Sequence, residues 1–204
     1  MENNKEKKEK LDLMLDLETL GTKPDCVVLS VAIRSFSLAQ ECVPVMDVHF
    51  CKHIDALSSL FCGREIDQKT LEWWRADDRK EARQDIVDGQ RHAEHFTEVM
   101  ITVYGMLREL TERYDLRIWG RGVNTFDAPI LDSCMRLACE RAGVKYDCPW
   151  KFWQLLDLRS VDFFARECGV PKSDELTPHD AMSDVEKQIR DICRMYKHLR
   201  QGRL

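Results

Sequence analysis

Hydrophobic and polar residues alternate in three segments near the start of the chain, and this period of two predicts β-strands. The segments cover residues 11–18, 26–36 and 43–52, and the second is rich in β-branched residues, which favours a buried strand. Only short connections separate the three segments. The sequence therefore predicts an antiparallel meander at the start of the fold.

From Asp67 onward the spacing of the apolar residues becomes helical. Two short helices are predicted first, with a stop at Gly89, and a longer helix follows over residues 96–114. A short strand over residues 116–119 then leads into a helix over residues 126–142. Helices therefore separate the meander from the next strand.

Glycine and aspartate mark the ends of the elements that come next. Gly143 is expected just after the preceding helix, in the position that favours a left-handed backbone. A fifth strand is predicted over residues 152–156, and Asp157 is expected to cap a helix that ends near Gly169.

The last helix is predicted to begin with Thr177 as its N-cap, because Pro178 then takes the first helical position. Asp180 at the third position completes a capping-box pattern. The helix is expected to continue to about His198.

The predicted order is three strands, several helices, and then β-α-β-α-α, with no internal repeat and no linker. This order predicts an α/β fold with a mixed five-stranded sheet, in which parallel strands follow the antiparallel meander and helices flank the sheet. Residues 1–10 are interpreted as a charged N-terminal segment and residues 11–204 as a single domain.

Composition narrows the class of protein. Of 204 residues, 44% are hydrophobic and 33% charged, which is typical of a soluble globular protein. The longest apolar runs, such as residues 27–33, are far shorter than the roughly 18 residues of a membrane span, so no membrane partner is expected. The nine cysteines contain no Cys-x-x-Cys, and no apolar signal-peptide core precedes them, which predicts reduced thiols in the cytoplasm.

The charge balance bears on the ligand. Lys and Arg number 31 against 36 Asp and Glu, so the formal net charge is −5. A sequence-independent nucleic-acid binder is usually strongly basic. A polyanionic ligand would therefore need a source of attraction other than bulk charge.

Two acids lie in the first predicted strand. Asp16 and Glu18 are two residues apart, so the period of a strand places both carboxylates on one face. Their neighbours are leucines, and two adjacent buried carboxylates repel each other and raise each other's pKa. A divalent cation is the simplest group that would neutralise them, unless this face of the strand is exposed to solvent.

Two further groups lie where helices begin. Asp127 follows a glycine-flanked strand end, where α/β sheets usually carry functional groups, although the helix dipole also favours an acid there. His179 and Asp184 lie near the start of the last helix. Five residues of ideal helix rotate by about 140°, so these two share a site only if His179 lies in an irregular first turn. A lone histidine is otherwise explained by a surface or hydrogen-bonding role.

Together these residues resemble the DEDDh family of 3′-5′ exonucleases, which have an RNase H-like fold. The likeness covers most of the chain and is strongest toward the phage DexA-type exonucleases and the RNase AS-like exoribonuclease group. It is carried by the signature His179-x-Ala-x-x-Asp184 and by four motifs in the expected order: Asp16-Leu-Glu-Thr-Leu-Gly21, Thr70-Leu-Glu-Trp-Trp74, Trp119-Gly-Arg-Gly-Val-Asn-Thr-Phe-Asp127-Ala-Pro-Ile-Leu131, and Lys151-Phe-Trp153 before Asp157-Leu-Arg159.

The resemblance implies a metal-dependent exonuclease that releases nucleoside 5′-monophosphates from the 3′ end of single-stranded nucleic acid, with DNA slightly favoured. It implies that Asp16, Glu18, Asp127 and Asp184 bind two divalent cations, Mg²⁺ or Mn²⁺, and that His179 is the general base. A homodimer is compatible with the sequence but is not implied by it. Substrate contacts are expected from Thr19, Leu20, Trp74, Asn124 and Phe126.

Two other functions stay open. The first is a 3′-5′ exoribonuclease of the same fold, because discrimination of the sugar depends on contacts to a 2′-hydroxyl that the sequence does not place. The second is a non-catalytic nucleic-acid-binding module, against which the complete set of four carboxylates and His179 argues.

A zinc site is a competing interpretation of the histidines. His49, Cys51 and His53 alternate on one predicted strand face, and His92 and His95 follow later in the chain. No matching second Cys pair follows, so packing and surface roles are favoured for these residues.

Aromatic and basic residues near the motifs also admit two interpretations. Trp73 or Trp74 could stack on a nucleobase, although a helix here would bury one indole and expose the other in any case. Arg121, Lys151 and Arg159 could contact phosphates, and a role in surface solubility explains each equally well.

Overall fold

A computed structural model of the chain describes residues 8–38, 44–171 and 179–201. The described residues form one five-stranded sheet in the order β3-β2-β1-β4-β5. The strands are β1 Lys10–Thr19, β2 Val28–Phe36, β3 His49–His53, β4 Asp115–Gly120 and β5 Leu155–Asp157. The helices are α1 Ala56–Phe61, α2 Gln68–Trp74, α3 Lys80–Gln90, α4 Phe96–Arg113, α5 Asp127–Arg141, α6 Leu158–Glu167 and α7 Ala181–Gln201, with 3-10 turns at Asp77–Arg79 and Phe152–Gln154.

The strand pairing confirms the predicted mixed sheet. β2 pairs antiparallel with both β1 and β3, which is the expected meander. β4 pairs parallel with β1, and β5 pairs parallel with β4. The carboxyl ends of β1, β4 and β5 therefore meet at one edge of the sheet.

The two faces of β1 pack against different layers. Leu11, Leu13, Leu15 and Leu17 point into a hydrophobic core shared with α4 and α5. Met14, on the opposite face, packs in a second core with residues of α6 and α7. Both faces of the sheet are thus covered, and the acids that share a face with Met14 lie beneath α7 rather than in open solvent.

Several predicted helix ends are confirmed. The Asp157 side chain accepts a hydrogen bond from the Arg159 backbone N–H at 2.8 Å and caps α6. Gly143 and Gly169 have φ of 67° and 82°, the left-handed backbone that favours glycine after a helix. Gly89, by contrast, lies inside α3, which ends at Gln90.

Two elements differ from the prediction because local hydrogen bonds override the apolar pattern. Residues 152–154 form a 3-10 turn instead of the start of a strand, since Gln154 N–H donates to the Lys151 carbonyl at 2.9 Å. The helix Ala56–Phe61 was not predicted, because six residues are too few to show a helical period. Asp55 caps it by accepting from the backbone of Leu57 and Ser58.

The third strand is shorter than predicted, covering His49–His53 instead of residues 43–52. Residue 43, the predicted start, lies outside the described residues, as do residues 1–7 of the charged N-terminal segment. Residues 44–48 are described but form no strand.

The start of the last helix also differs. Thr177 and Pro178, the predicted cap, lie outside the described residues, and α7 begins only at Ala181. Asp180 lies just before the helix instead of at its third position, and its side chain accepts from the Ser183 backbone N–H at 3.0 Å. The reason is His179, whose φ of 57° cannot continue into a right-handed helix.

Two general expectations concern environment. None of the eight cysteines among the described residues forms a disulfide with another of them. Over the same residues, no helix combines the length and the apolar character that crossing a bilayer requires.

Candidate active site

A cavity of about 580 Å³ lies at the sheet edge where β1 ends. Its walls come from the end of β1, from α2, from the starts of α5 and α6, and from the start of α7. Acidic, aromatic and basic side chains all line it. Among them are the four carboxylates that the sequence singles out, Asp16, Glu18, Asp127 and Asp184.

The carboxylates converge because β1 ends close to where α5 and α7 begin. Asp16 and Glu18 lie on the face of β1 that α7 covers, and Asp184 reaches them from the first turn of α7. One carboxylate oxygen from each of these three residues lies within 4.8 Å of the other two. Asp127, at the start of α5, is buried in the same cavity.

Burial raises the pKa of every acid in this group, and the charge of neighbouring carboxylates adds to the effect. Burial, followed by the charge of Asp127, raises the pKa of Asp16 well above its usual range. Burial and the neighbouring charge of Asp184 raise the pKa of Glu18 to about 9. Burial also raises the pKa of Asp127 to about 7 and that of Asp184 to about 6. A bound cation would favour the charged form of these acids, because its positive charge offsets their burial and repulsion.

One atom of the cluster shows directly that a partner is needed. Asp184 Oδ1 is buried and accepts no hydrogen bond from any residue that the structure describes. A buried carboxylate oxygen without a partner is costly unless a ligand occupies its lone pairs. The donors are all carboxylate oxygens, which suit hard cations such as Mg²⁺ or Mn²⁺.

The raised pKa values lead to a prediction about stability. An acid whose pKa is higher in the folded state destabilises that state progressively as pH rises from its unfolded pKa, near 4, through its folded pKa, here about 6 to 9. Metal-free protein should therefore lose stability across this range. At 100 times its Kd, a cation should add about 2.7 kcal/mol, or about 5–10 °C in Tm.

Thermal melts with chelator and with Mn²⁺ at pH 5.5 and 8.5 measure this effect. The gain in Tm should be larger at pH 8.5, where fewer protons compete with the cation for the carboxylates. A gain that is equal or larger at pH 5.5 would contradict the proposed compensation of these four charges.

His179 lies beside the acids on an unusual stretch of backbone. It is the one non-glycine residue with positive φ in the part of the chain that the structure describes. Its ring meets Trp73 edge-on, with ring centroids 5.1 Å apart. Burial and the nearby charge of Arg79 lower the pKa of His179, so the imidazole is neutral near pH 7 and able to accept a proton.

The two tryptophans of α2 have different environments. Trp74 is buried, and its indole N–H donates to the Thr19 carbonyl at 2.9 Å. Trp73 is 40% exposed, and the guanidinium of Arg79 lies over its ring, 4.1 Å from the centroid. Of this pair, Trp73 therefore presents the more accessible ring, whereas Trp74 supports the end of β1.

The remaining predicted substrate contacts divide into two groups. Thr19 and Phe126 line the cavity, and the Thr19 hydroxyl donates to the Gly21 carbonyl at 2.7 Å. Leu20 and Asn124 are described but are not among the residues that line it. Asn124 is exposed to solvent.

The basic candidates divide in the same way. Arg121 and Arg159 line the cavity, whereas Lys151 lies beside a separate depression next to the turn before β5. Arg121 also lies 3.9 Å from Asp162.

Two of the histidines considered for zinc, His53 and His95, have local structural roles. His95 caps α4 by accepting from the Thr97 backbone N–H at 3.3 Å. The ring of His53 packs directly on Gly89, where an added Cβ would come within 2.4 Å of its Nδ1. Within the described residues, the close group of candidate metal ligands contains only Asp16, Glu18 and Asp184.

Sequence reasoning missed two residues of α7 that line the cavity. Gln188 donates from Nε2 to Asp16 Oδ1 at 2.8 Å, and Lys187 pairs with Asp191 at 2.8 Å. A signal was present for Gln188, because it follows Asp184 by four residues and therefore shares its helix face.

Comparisons of the sequence with known proteins find exonucleases. The family model described as a 3′-5′ exoribonuclease Rv2179c-like domain matches residues 11–195. An exodeoxyribonuclease of Enterobacteria phage T4 is 26% identical over 203 residues, covering 87% of this chain and 86% of the relative.

Solved structures with a similar fold include exonuclease I of E. coli. Its complex with a dA16 oligonucleotide matches 96% of this chain with a TM-score of 0.59 and 16% identity. A zinc-bound form in complex with single-stranded DNA gives a TM-score of 0.60, also at 16% identity. This chain spans 44% and 42% of those two chains, less than half of their length.

The structural likeness confirms the predicted RNase H-like fold. The family model extends over nearly the whole of the described sheet and helices. The chain therefore belongs to the Rv2179c-like 3′-5′ exoribonuclease domain family, among the DEDDh-type 3′-5′ exonucleases.

Proposed function

We propose that this protein is a metal-dependent 3′-5′ exonuclease that removes nucleoside 5′-monophosphates from single-stranded nucleic acid, with DNA slightly favoured over RNA. One observation carries the proposal: three carboxylates within 4.8 Å of one another share a cavity with Asp127 and His179. The family match and the phage exodeoxyribonuclease relative support the same reaction class.

The cations would be held by Asp16, Glu18, Asp127 and Asp184. Their oxygen donors and raised pKa values fit two Mg²⁺ or Mn²⁺ ions. When bound, these ions would supply the positive charge that lowers the pKa of the attacking water and stabilises the leaving 3′ oxygen. They would also explain how an acidic protein attracts a polyanion, because cations in an acidic site present a net attraction to phosphate.

The remaining roles fall to side chains of the cavity. His179, neutral near pH 7, takes the proton from the attacking water. Trp73 and Phe126 offer apolar surface to the terminal nucleotide, and Arg159 offers a positive charge to a phosphate. Thr19 and Trp74 stabilise this side of the cavity, because the Trp74 indole N–H donates to the Thr19 carbonyl at 2.9 Å.

The choice between DNA and RNA separates this proposal from its nearest alternative. The phage relative is an exodeoxyribonuclease, whereas the matching family model is described as an exoribonuclease. End-labelled DNA and RNA oligonucleotides of one sequence, digested side by side with Mg²⁺ and with chelator, test both questions together. Digestion of neither polymer with Mg²⁺ would favour the non-catalytic binding module instead.

The proposed direction of attack gives a further prediction. Single-stranded DNA with a labelled 5′ end should give a descending ladder of products, because each cycle removes one 3′ nucleotide. A 3′ phosphate should slow the reaction strongly, and a covalently closed circle of the same sequence should resist digestion. Gel electrophoresis of the three substrates reports the result, and rapid cleavage of the circle would identify an endonuclease.

The cellular setting is proposed from the thiols. We propose a reducing compartment such as the cytoplasm, because the eight described cysteines form no disulfide with one another.

A further inference from the structure

A single neutral amide lies among the acids of the cavity. Gln188 is 6% exposed and lies one helical turn after Asp184 on α7. Its Nε2 donates to Asp16 Oδ1 at 2.8 Å, which joins α7 to the middle of the sheet. A glutamine provides this donor without adding a fifth negative charge to the cluster.

The other end of the same amide has no hydrogen-bond partner among the described residues. Gln188 Oε1 is buried and accepts no hydrogen bond within the part of the chain that the structure describes. The hydrogen bond to Asp16 therefore determines which way the amide points, because no competing contact holds Oε1. The cost of leaving Oε1 unpaired indicates that the contact with Asp16 has a use beyond packing.

We infer that Gln188 is a positioning residue for the cations, acting by holding the Asp16 carboxylate in one orientation. This inference rests on the proposed function, since it needs Asp16 to be a metal ligand. Groups that hydrogen-bond to metal ligands fix the direction of the ligand's lone pairs. Their loss typically weakens metal affinity about 10–100-fold.

The test measures cation binding rather than turnover. Gln188→Met keeps nearly the same length while removing both donor and acceptor, and Gln188→Asn retracts the donor by one methylene. Titration of each variant with Mn²⁺, followed by the electron paramagnetic resonance signal of free Mn²⁺, should show a Kd about 10–100-fold above that of the wild type.

A matched control comes from α3. Gln90 is a partly buried glutamine whose amide is paired at both ends, to the Ile54 carbonyl and the Ala56 N–H, and it does not line the cavity. Gln90→Met should reduce thermal stability but leave the Kd for Mn²⁺ unchanged. An equal loss of Mn²⁺ affinity in Gln90→Met would mean that a general loss of stability, and not the orientation of Asp16, explains the weaker binding in the Gln188 variants.

A double-mutant comparison tests the route through Asp16. In an Asp16→Asn background, adding Gln188→Met should change the remaining Mn²⁺ affinity by less than twofold, because the carboxylate that Gln188 orients is already gone. A wild type that binds Mn²⁺ normally, together with folded Gln188 variants within twofold of it, would overturn this inference alone. A wild type that binds no Mn²⁺ would instead overturn the proposed function.

Discussion

Asp16→Asn is expected to reduce turnover to less than a tenth of the wild-type value while leaving the metal-free protein at least as stable. The substitution removes one cation ligand and one charge from a cluster in which burial and repulsion already raise the pKa of each acid. Activity and stability should thus move in opposite directions. Single-turnover kinetics with Mg²⁺ and thermal melts in chelator measure the two effects.

Asp12→Asn is the matched control on the same face of the same strand. Asp12 is buried, pairs with Arg117, and accepts the indole N–H of Trp119 at 2.7 Å, but it does not line the cavity. Its substitution should lower stability, since it weakens a buried pair, and should leave turnover of the folded protein unchanged. An Asp16→Asn enzyme that keeps more than a tenth of wild-type turnover would refute the ligand assignment.

His179→Ala is expected to lower turnover by about 10²–10⁴-fold while cation binding survives. Wild-type activity should rise with pH and level off once the imidazole is neutral. Because the pKa of His179 is lowered, the midpoint of that rise should lie below the ordinary histidine value of 6.5. In the alanine variant the acidic limb of the pH–rate profile should flatten, which steady-state assays between pH 5 and 8 can measure.

Two controls accompany the His179 experiment. His49→Ala alters an exposed histidine of β3 outside the cavity and should keep both the rate and the acidic limb. His179→Gly accepts the positive φ of this position without strain, so it separates backbone strain from lost chemistry. If the acidic limb persists in both His179 variants, the residue positions the substrate and is not the base.

The pattern of residues along the chain predicted those features of the site that lie within a single strand or helix. The spacing of Asp16 and Glu18 placed them on one face of a strand, and Asp157 and Gly169 marked the bounds of α6. These predictions succeed because strand alternation and helix capping are decided by neighbours along the chain. The catalytic and metal-binding roles of the site residues remain predictions.

Features that depend on how one element packs against another could not be predicted from the sequence. Either indole of the pair in α2 could have been the buried one, and the choice of Trp74 follows from the position of the Thr19 carbonyl. Gln188 shares a helix face with Asp184 in the sequence, but its hydrogen bond to Asp16 depends on how α7 packs against β1. The backbone of His179 was also unforeseen, because positive φ is uncommon outside glycine and the cap of α7 is formed by Asp180.

Along β1, residues needed for folding alternate with residues proposed to be needed for catalysis. The leucines at odd positions are constrained by folding, whereas Asp16 and Glu18 are constrained by chemistry and oppose folding when no cation is bound. A lineage that lost the need for catalysis could replace these two acids with neutral residues and gain stability. Sequence drift in inactive descendants should therefore begin at Asp16 and Glu18 and spare the leucines, Met14 and Asp12.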